Sequence, residues 1–215
     1  MAELQIIGAA PSNFVWVTRI ACVEKGVPYT HVQVMPHTPE VDVIHPLGKI
    51  PAMRHGDVTL CESRAIIRYI DRAFDGPSLT PRDPVAAARV EQWTSILCTA
   101  TDPLLLRQYY ALYVMAARSG GNPDRAAVEE LVTKMEPHFA MLDSAVSGTG
   151  HLVGDSFTLA DAYLTPILHY MNAVPEGGAL LGRSGRLKTY YDRHAARQSV
   201  QQTKPPQLVH EMMRR

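Results

Sequence analysis

The residues able to do chemistry in this chain stand at helix starts and beside prolines. Ser12-Asn13 follows Gly8-Ala9-Ala10-Pro11 and opens the apolar run from Phe14 to Lys25. A hydroxyl and the positive end of a helix therefore coincide there, a combination that steadies an anion. Both residues are also good N-caps, and the two roles are compatible. Glu62-Ser63 opens another helix, where free amides and the dipole favour a carboxylate; the pair equally suits a helix start with no ligand at all. Ile50-Pro51 is an X-Pro bond at a strand entrance, and since only ~5% of such bonds are cis in folded proteins, the residues alone favour trans. Lys49 and His37 are loop side chains, and solvation is the ordinary fate of such groups.

Other chemistries lack their residues. The chain has 9 His but no HExxH or HxH, and no Cys/His cluster that would bring two ligands together, so no metal is expected. Cys22, Cys61 and Cys98 are odd in number and lack CxxC spacing, which argues for reduced thiols rather than a disulfide framework. Charges balance at 21 Lys+Arg and 21 Asp+Glu, so the electrostatic footprint of a nucleic-acid or membrane-surface protein is missing. With 46% hydrophobic residues in 215, the chain can bury a core of ordinary size. No apolar run approaches the ~18 residues of a membrane helix. The start, Met1 to Ile7, has no basic segment followed by a long apolar one, so a cytoplasmic protein is expected.

The elements that must position these residues divide the chain in two. Leu4 to Gly8 is a short apolar strand, Phe14 to Lys25 a helix closed by Gly26, and Tyr29 to Val34 an alternating strand, which gives βαβ. A weak helix to about His45 precedes two short strands, 52–54 and 58–61, separated by His55-Gly56-Asp57. Apolar positions 66, 70 and 73 then share one helical face, completing ββα. Proline and glycine between Phe74 and Pro81 stop helices on both sides. The spacing predicts an α/β domain over 1–77, a linker over 78–82 and an all-helical domain over 83–215, with helices at 83–118, 123–146, 158–171 and 184–196. Pro123 is expected at N1 of its helix, and Thr158 with Asp161 has capping-box spacing.

A βαβ-ββα domain with proline at its third strand, followed by a helical domain, resembles the cytosolic glutathione S-transferase superfamily, of bacterial type with a serine-type active site. Residues 8–21 resemble the family's first strand and helix, with Ser12 at the catalytic position of serine- and cysteine-type members. Pro46-Leu47-Gly48-Lys49-Ile50-Pro51 resembles the segment ending in cis-proline, and Cys61 to Ile66 resembles the glutamate-serine start of helix three. Gly154 to Asp161 resembles the C-terminal folding motif. The likeness runs in order from about residue 4 to 200, and Glu62-Ser63 and Thr158 to Asp161 are its specific parts.

The resemblance implies a thioredoxin-like domain, a helical bundle and glutathione as co-substrate. It assigns the γ-glutamyl end of glutathione to Glu62 and Ser63, the cysteinyl unit to the backbone of Ile50 before cis-Pro51, and the glycyl carboxylate to Lys49 and His37. It gives the thiolate to Ser12, with Asn13 as rival. Because Pro11-Ser12-Asn13-Phe14 stands where thioredoxin-like redox proteins keep CxxC, dithiol exchange is not available. The missing cysteine also counts against dehydroascorbate-reductase chemistry, and the missing Ser-Ser-Cys segment against the maleylacetoacetate isomerase branch.

The implied partner is a small electrophile, and the implied reaction is a detoxifying conjugation by a homodimer. Leu104, Gln108, Tyr109, Tyr110, Tyr113 and Met115 are candidates for an apolar wall, although tyrosines at helical spacing are more often core. Asp161 reads as a buried cap rather than a catalyst. The alternative is a non-catalytic glutathione-binding or hydrophobic-ligand-binding protein of the same fold. Electrophile selectivity is expected to involve the tail from Thr203 to Arg215.

Overall fold

The computed structural model describes residues 2–146 and 148–206. They form two compact units, residues up to Thr80 joined by Gln198–Pro206, and Pro81–Arg197. The selectivity expected of the C-terminal tail falls largely on 207–215, outside the described residues.

In the first unit, strands β1 (Leu4–Ile7), β2 (Thr30–Val32), β3 (Ala52–His55) and β4 (Val58–Cys61) make one sheet in the order β2-β1-β3-β4. β1 runs parallel to β2 and antiparallel to β3, which is antiparallel to β4. Helix α1 (Asn13–Lys25) crosses between the parallel strands, α2 (Pro39–Asp42) is a single turn, and α3 (Ser63–Ala73) follows β4. Leu4, Ile6, Val15, Cys22, Met53, Ile66 and Ile70 form the core between sheet and helices. Gly26 ends α1 in the left-handed conformation at φ 72°, the position where a glycine costs no strain. At the far ends of α1 and α3, Lys25 Nζ lies 3.2 Å from Asp71 Oδ1, both side chains buried, and the same oxygen accepts from the Leu79 amide at 2.9 Å.

The second unit is helical throughout its regular elements: α4 (Pro84–Ile96), α5 (Ala111–Ser119), α6 (Arg125–Ala145), α7 (Leu159–Asn172), α8 (Pro175–Arg183) and α9 (Gly185–Ala195). Helix α7 is buried from Ala160 to Met171; its one polar stripe, Asp161, Thr165 and His169, finds hydrogen-bond partners within the chain. None of the described helices is long and apolar enough to cross a membrane.

Four expectations are corrected. The helix predicted over 83–118 is interrupted by π-helical turns at Leu97–Thr101 and Pro103–Tyr110, because Pro103 has no N–H to donate and its ring forces the ladder to widen. Asp124, not Pro123, starts the next helix, its carboxylate accepting from the Ala126 and Ala127 amides at 3.0 and 3.3 Å. Helix α8 was not anticipated, since Gly177, Gly178 and Gly182 depress helix propensity. Helix α10 (Gln198–Thr203) belongs with the first unit rather than with an 83–215 domain. Trp16 Nε1 of α1 donates to Thr203 Oγ1 at 2.9 Å, and Ser199 donates to Glu24.

Candidate active site

The register gathers the site. Ile7 pairs with both Val32 and Ala52, and Ala52 pairs with Cys61, so these four residues form one row across the sheet. The loops beyond that row lead to Gln33 after β2, Gly8 to Ser12 after β1, Ile50-Pro51 before β3, and Glu62-Ser63 after β4. One sheet edge thus receives the candidates at Ser12, Ile50, Pro51, Glu62 and Ser63, although they are spread over 52 positions of sequence (12 to 63).

Ser12 is the N-cap of α1, with extended backbone (φ −72°, ψ 123°), and its hydroxyl accepts from the Val15 amide at 3.5 Å. That bond is long, and Ser12 is half-buried, so the Oγ–H remains available at a helix N-terminus. Asn13, the rival, is only 3% exposed. The loop before Ser12 is fastened from β2: His31 Nε2 lies 2.8 Å from the Gly8 carbonyl, and the Ala10 amide donates to Gln33 Oε1 at 3.3 Å. Burial pushes the His31 imidazole pKa down, which favours the neutral ring with Nε2–H donating to that carbonyl. Sequence reading missed His31 and Gln33, although period-two alternation along the strand puts both on one face.

The Ile50–Pro51 bond is cis, against the bare preference of X-Pro bonds and in line with the resemblance. A β-carbon on Gly8 would lie 2.9 Å from Ile50 Cβ and 2.6 Å from Val15 Cγ2, so only glycine lets the end of β1, the start of α1 and Ile50 approach this closely. Upstream, the His37 amide donates to the Gly48 carbonyl at 2.8 Å. A β-carbon on Gly48 would meet His37 Nδ1 at 2.2 Å. The His37 ring therefore lies over Gly48, next in sequence to Lys49, and both His37 and Lys49 are exposed.

Glu62 holds the N-cap position of α3 at φ 67°, outside ordinary backbone for a non-glycine residue, and makes no side-chain cap bond. Backbone strain of this sort concentrates at functional sites. Ser63, the first residue of α3, is buried. His45 Nε2 stands 3.5 Å from Glu62 Oε1, a partner that no sequence pattern foreshadows, since the two are 17 positions apart (45 to 62) on different elements. Burial raises the Cys22 thiol to about 12, so it is no nucleophile near neutral pH.

In the second unit, Tyr109 and Tyr113 are buried and both hydroxyls donate to Glu176, that of Tyr109 at 2.9 Å. Burial raises the Glu176 carboxyl, but hydrogen bonds from Tyr113, Arg125 and Tyr109 overcome it and hold the group near about 2. These two tyrosines are core with satisfied hydroxyls, whereas Gln108 and Met115 are exposed and Leu104 and Tyr110 half-buried. A second buried cluster, His151, Asp161 and His194, brings possible ligand atoms within 4.8 Å of one another. Asp161 Oδ1 accepts from the Leu152 amide and Tyr190 hydroxyl, and Oδ2 from the Thr158 amide and hydroxyl, all at 2.9–3.0 Å. Both oxygens are thus committed to the capping box and its surroundings.

Comparison with known proteins places the chain in a family. Residues 6–78 match the family model of the glutathione S-transferase N-terminal domain, and residues 125–193 that of the C-terminal domain. Glutathione S-transferase 3 of Zea mays is 31% identical over 94% of this chain and 94% of its own length. A stringent starvation protein A homolog of Haemophilus ducreyi is 27% identical over 89% of this chain and 86% of its own. Among solved structures, glutathione S-transferase-I bound with lactoylglutathione superposes with a TM-score of 0.84 at 25% identity, covering 99% of this chain and 100% of that one.

Proposed function

Because the chain belongs to the glutathione S-transferase family, we propose that it is a glutathione transferase whose sheet-edge residues bind glutathione and whose Ser12 steadies the thiolate. The observation that carries this reading is the single row Val32, Ile7, Ala52, Cys61, which delivers Ser12, cis-Pro51 and Ser63 to one edge.

The roles follow from charge and geometry. The Ser63 hydroxyl and the positive end of α3 hold the γ-glutamyl carboxylate, and the exposed Glu62 carboxylate faces the ammonium. The Ile50 backbone pairs strand-like with the cysteinyl unit. Lys49 and His37 hold the glycyl carboxylate. Ser12 Oγ–H donates to the sulfur, and the α1 dipole adds to the effect, lowering a thiol that titrates near ~8.5 when unperturbed. The thiolate then attacks an electrophilic carbon: a C–S bond forms and, with an aryl halide, halide leaves; with an enone, the carbanion takes a proton from solvent. Half-burial of Ser12 against near-complete burial of Asn13 supports Ser12 over its rival. A homodimer, a cytoplasmic location and detoxification of small apolar electrophiles belong to the same reading.

The test is conjugation of glutathione to an activated aryl halide by wild type, Ser12→Ala and Asn13→Ala. Loss of rate in Ser12→Ala with near-normal glutathione affinity supports the assignment. Full activity in Ser12→Ala with loss in Asn13→Ala transfers the role to Asn13. One relative, similar over most of its length, is named for stringent starvation and not as a transferase, so a second reading is kept beside the first: a carrier that retains the pocket. Micromolar glutathione binding without turnover on any of a panel of electrophiles would establish it.

A further inference from the structure

His45 is a buried polar side chain beside the strained corner at Glu62, and its hydrogen bonds leave little freedom in how it acts. It is 4% exposed. The Leu47 amide donates to His45 Nδ1 at 3.1 Å, so Nδ1 is a bare acceptor and the ring proton resides on Nε2. Nε2 is the atom 3.5 Å from Glu62 Oε1. The His45 amide donates to the Val41 carbonyl at 2.8 Å, and its own carbonyl accepts from the Gly48 amide at 2.9 Å. The backbone of His45 is therefore held between the end of the α2 turn and the Leu47-Gly48 turn, and its ring, held at Nδ1, keeps Nε2 within 3.5 Å of the carboxylate.

Glu62 needs such a partner. Its side chain is 71% exposed, its backbone sits at φ 67°, and its carboxylate does not cap α3. A long exposed carboxylate samples many rotamers, and ordering it on ligand binding costs free energy. A rigid donor that holds one oxygen and leaves the other open removes part of that cost.

We propose that His45 is a positioning residue that presets the Glu62 carboxylate for the ammonium of the γ-glutamyl unit. The proposal rests on the glutathione-transferase reading above and adds a residue to it. His45 also joins the two halves of the pocket: through Nε2 it reaches Glu62, and through the 45–48 turn it reaches Gly48, on which His37 rests and from which Lys49 and Ile50 follow.

A double-mutant cycle tests it, with wild type, His45→Leu, Glu62→Gln and the double variant, and His45→Gln as the conservative replacement that keeps an N–H donor. Glutathione affinity is measured by calorimetry, and KM for glutathione and kcat by conjugation of an activated aryl halide. His45→Leu should raise Kd and KM for glutathione about three- to five-fold, the scale of a partly exposed contact between a polar N–H and a carboxylate, with kcat changing much less. His45→Gln should recover most of the loss. In the Glu62→Gln background His45→Leu should add almost nothing. Equal losses in both backgrounds, or no recovery in His45→Gln, would mean that His45 only supports the loop, and the proposal would fall while the transferase reading stood. Wild type that binds no glutathione would sink both. Should His45→Leu fold poorly, His45→Asn, whose amide is too short to reach Glu62, takes its place in the same four-protein cycle, and equal losses with and without Glu62→Gln would again overturn the proposal.

Discussion

The two units put the same device, a polar side chain at a helix start, to opposite uses. At α7 the Thr158 and Asp161 pair is spent: Asp161 is fully buried and each carboxylate oxygen accepts two hydrogen bonds. At α1 Ser12 makes one long cap bond, and at α3 Glu62 makes none from its side chain. A closed helix start holds a fold together, because every donor there is satisfied within the chain. A start whose polar side chain is not committed to capping leaves that side chain and the helix dipole able to meet an anion, the role proposed for Ser12 and for the start of α3.

The sharpest way to break this contrast is to remove each device and read stability and activity separately. Asp161→Ala leaves the Leu152 and Thr158 amides and the Tyr190 hydroxyl buried without their acceptor. Unfolding in denaturant should show a loss of about 3 kcal/mol or more, and a loss under 1 kcal/mol would mean that the closed start is dispensable. Ser12→Ala should cost about 100-fold in kcat/KM, the scale of one lost donor to a developing or stabilised anion. Stability should fall by only about 1 kcal/mol or less, as for a weak cap. A large stability loss with intact turnover would reverse the roles assigned to the two helix starts.

Smaller effects sharpen the comparison. Thr203→Val removes the acceptor of the buried Trp16 indole on α1 and should destabilise by about 1–2 kcal/mol. The change should show in thermal unfolding and, because Trp16 is one turn from Ser12, in Trp fluorescence. The second unit should also lose stability in mild acid. Burial pushes His194 down to about 4 from an ordinary 6.5, and lowers His151. A folded-state pKa below the unfolded one means that the unfolded chain binds more protons between these values, so stability is present above about 6.5 and declines as pH falls toward 4. Denaturation midpoints across that range check the sign, and midpoints that rise on acidification would contradict it.

Much of this contrast was legible in the residues. Hydrophobic period and glycine punctuation located β1, α1, β3, β4 and α3, and the Thr158 to Asp161 spacing announced the closed start of α7. Glu62-Ser63 and Ser12 were visible as helix openings, but not that Glu62 has positive φ, because that strain is imposed by the turn from β4 into α3. The π-helical turns around Pro103 were hidden because a proline predicts a disturbance without its form. Helix α8 was hidden by glycines that tertiary packing overrides. The docking of α10 on α1 and the reach of His45 to Glu62 depend on contacts 187 and 17 positions apart, which no local pattern carries.

The open helix start at Ser12 is tested most directly by titrating the thiolate absorbance of glutathione bound to wild type and to Ser12→Ala. A bound thiol that ionises well below its free value of ~8.5 in wild type, and moves back toward it in Ser12→Ala, is the predicted result. Saturable binding with the same thiol pKa in both proteins would contradict the account and leave a carrier in its place.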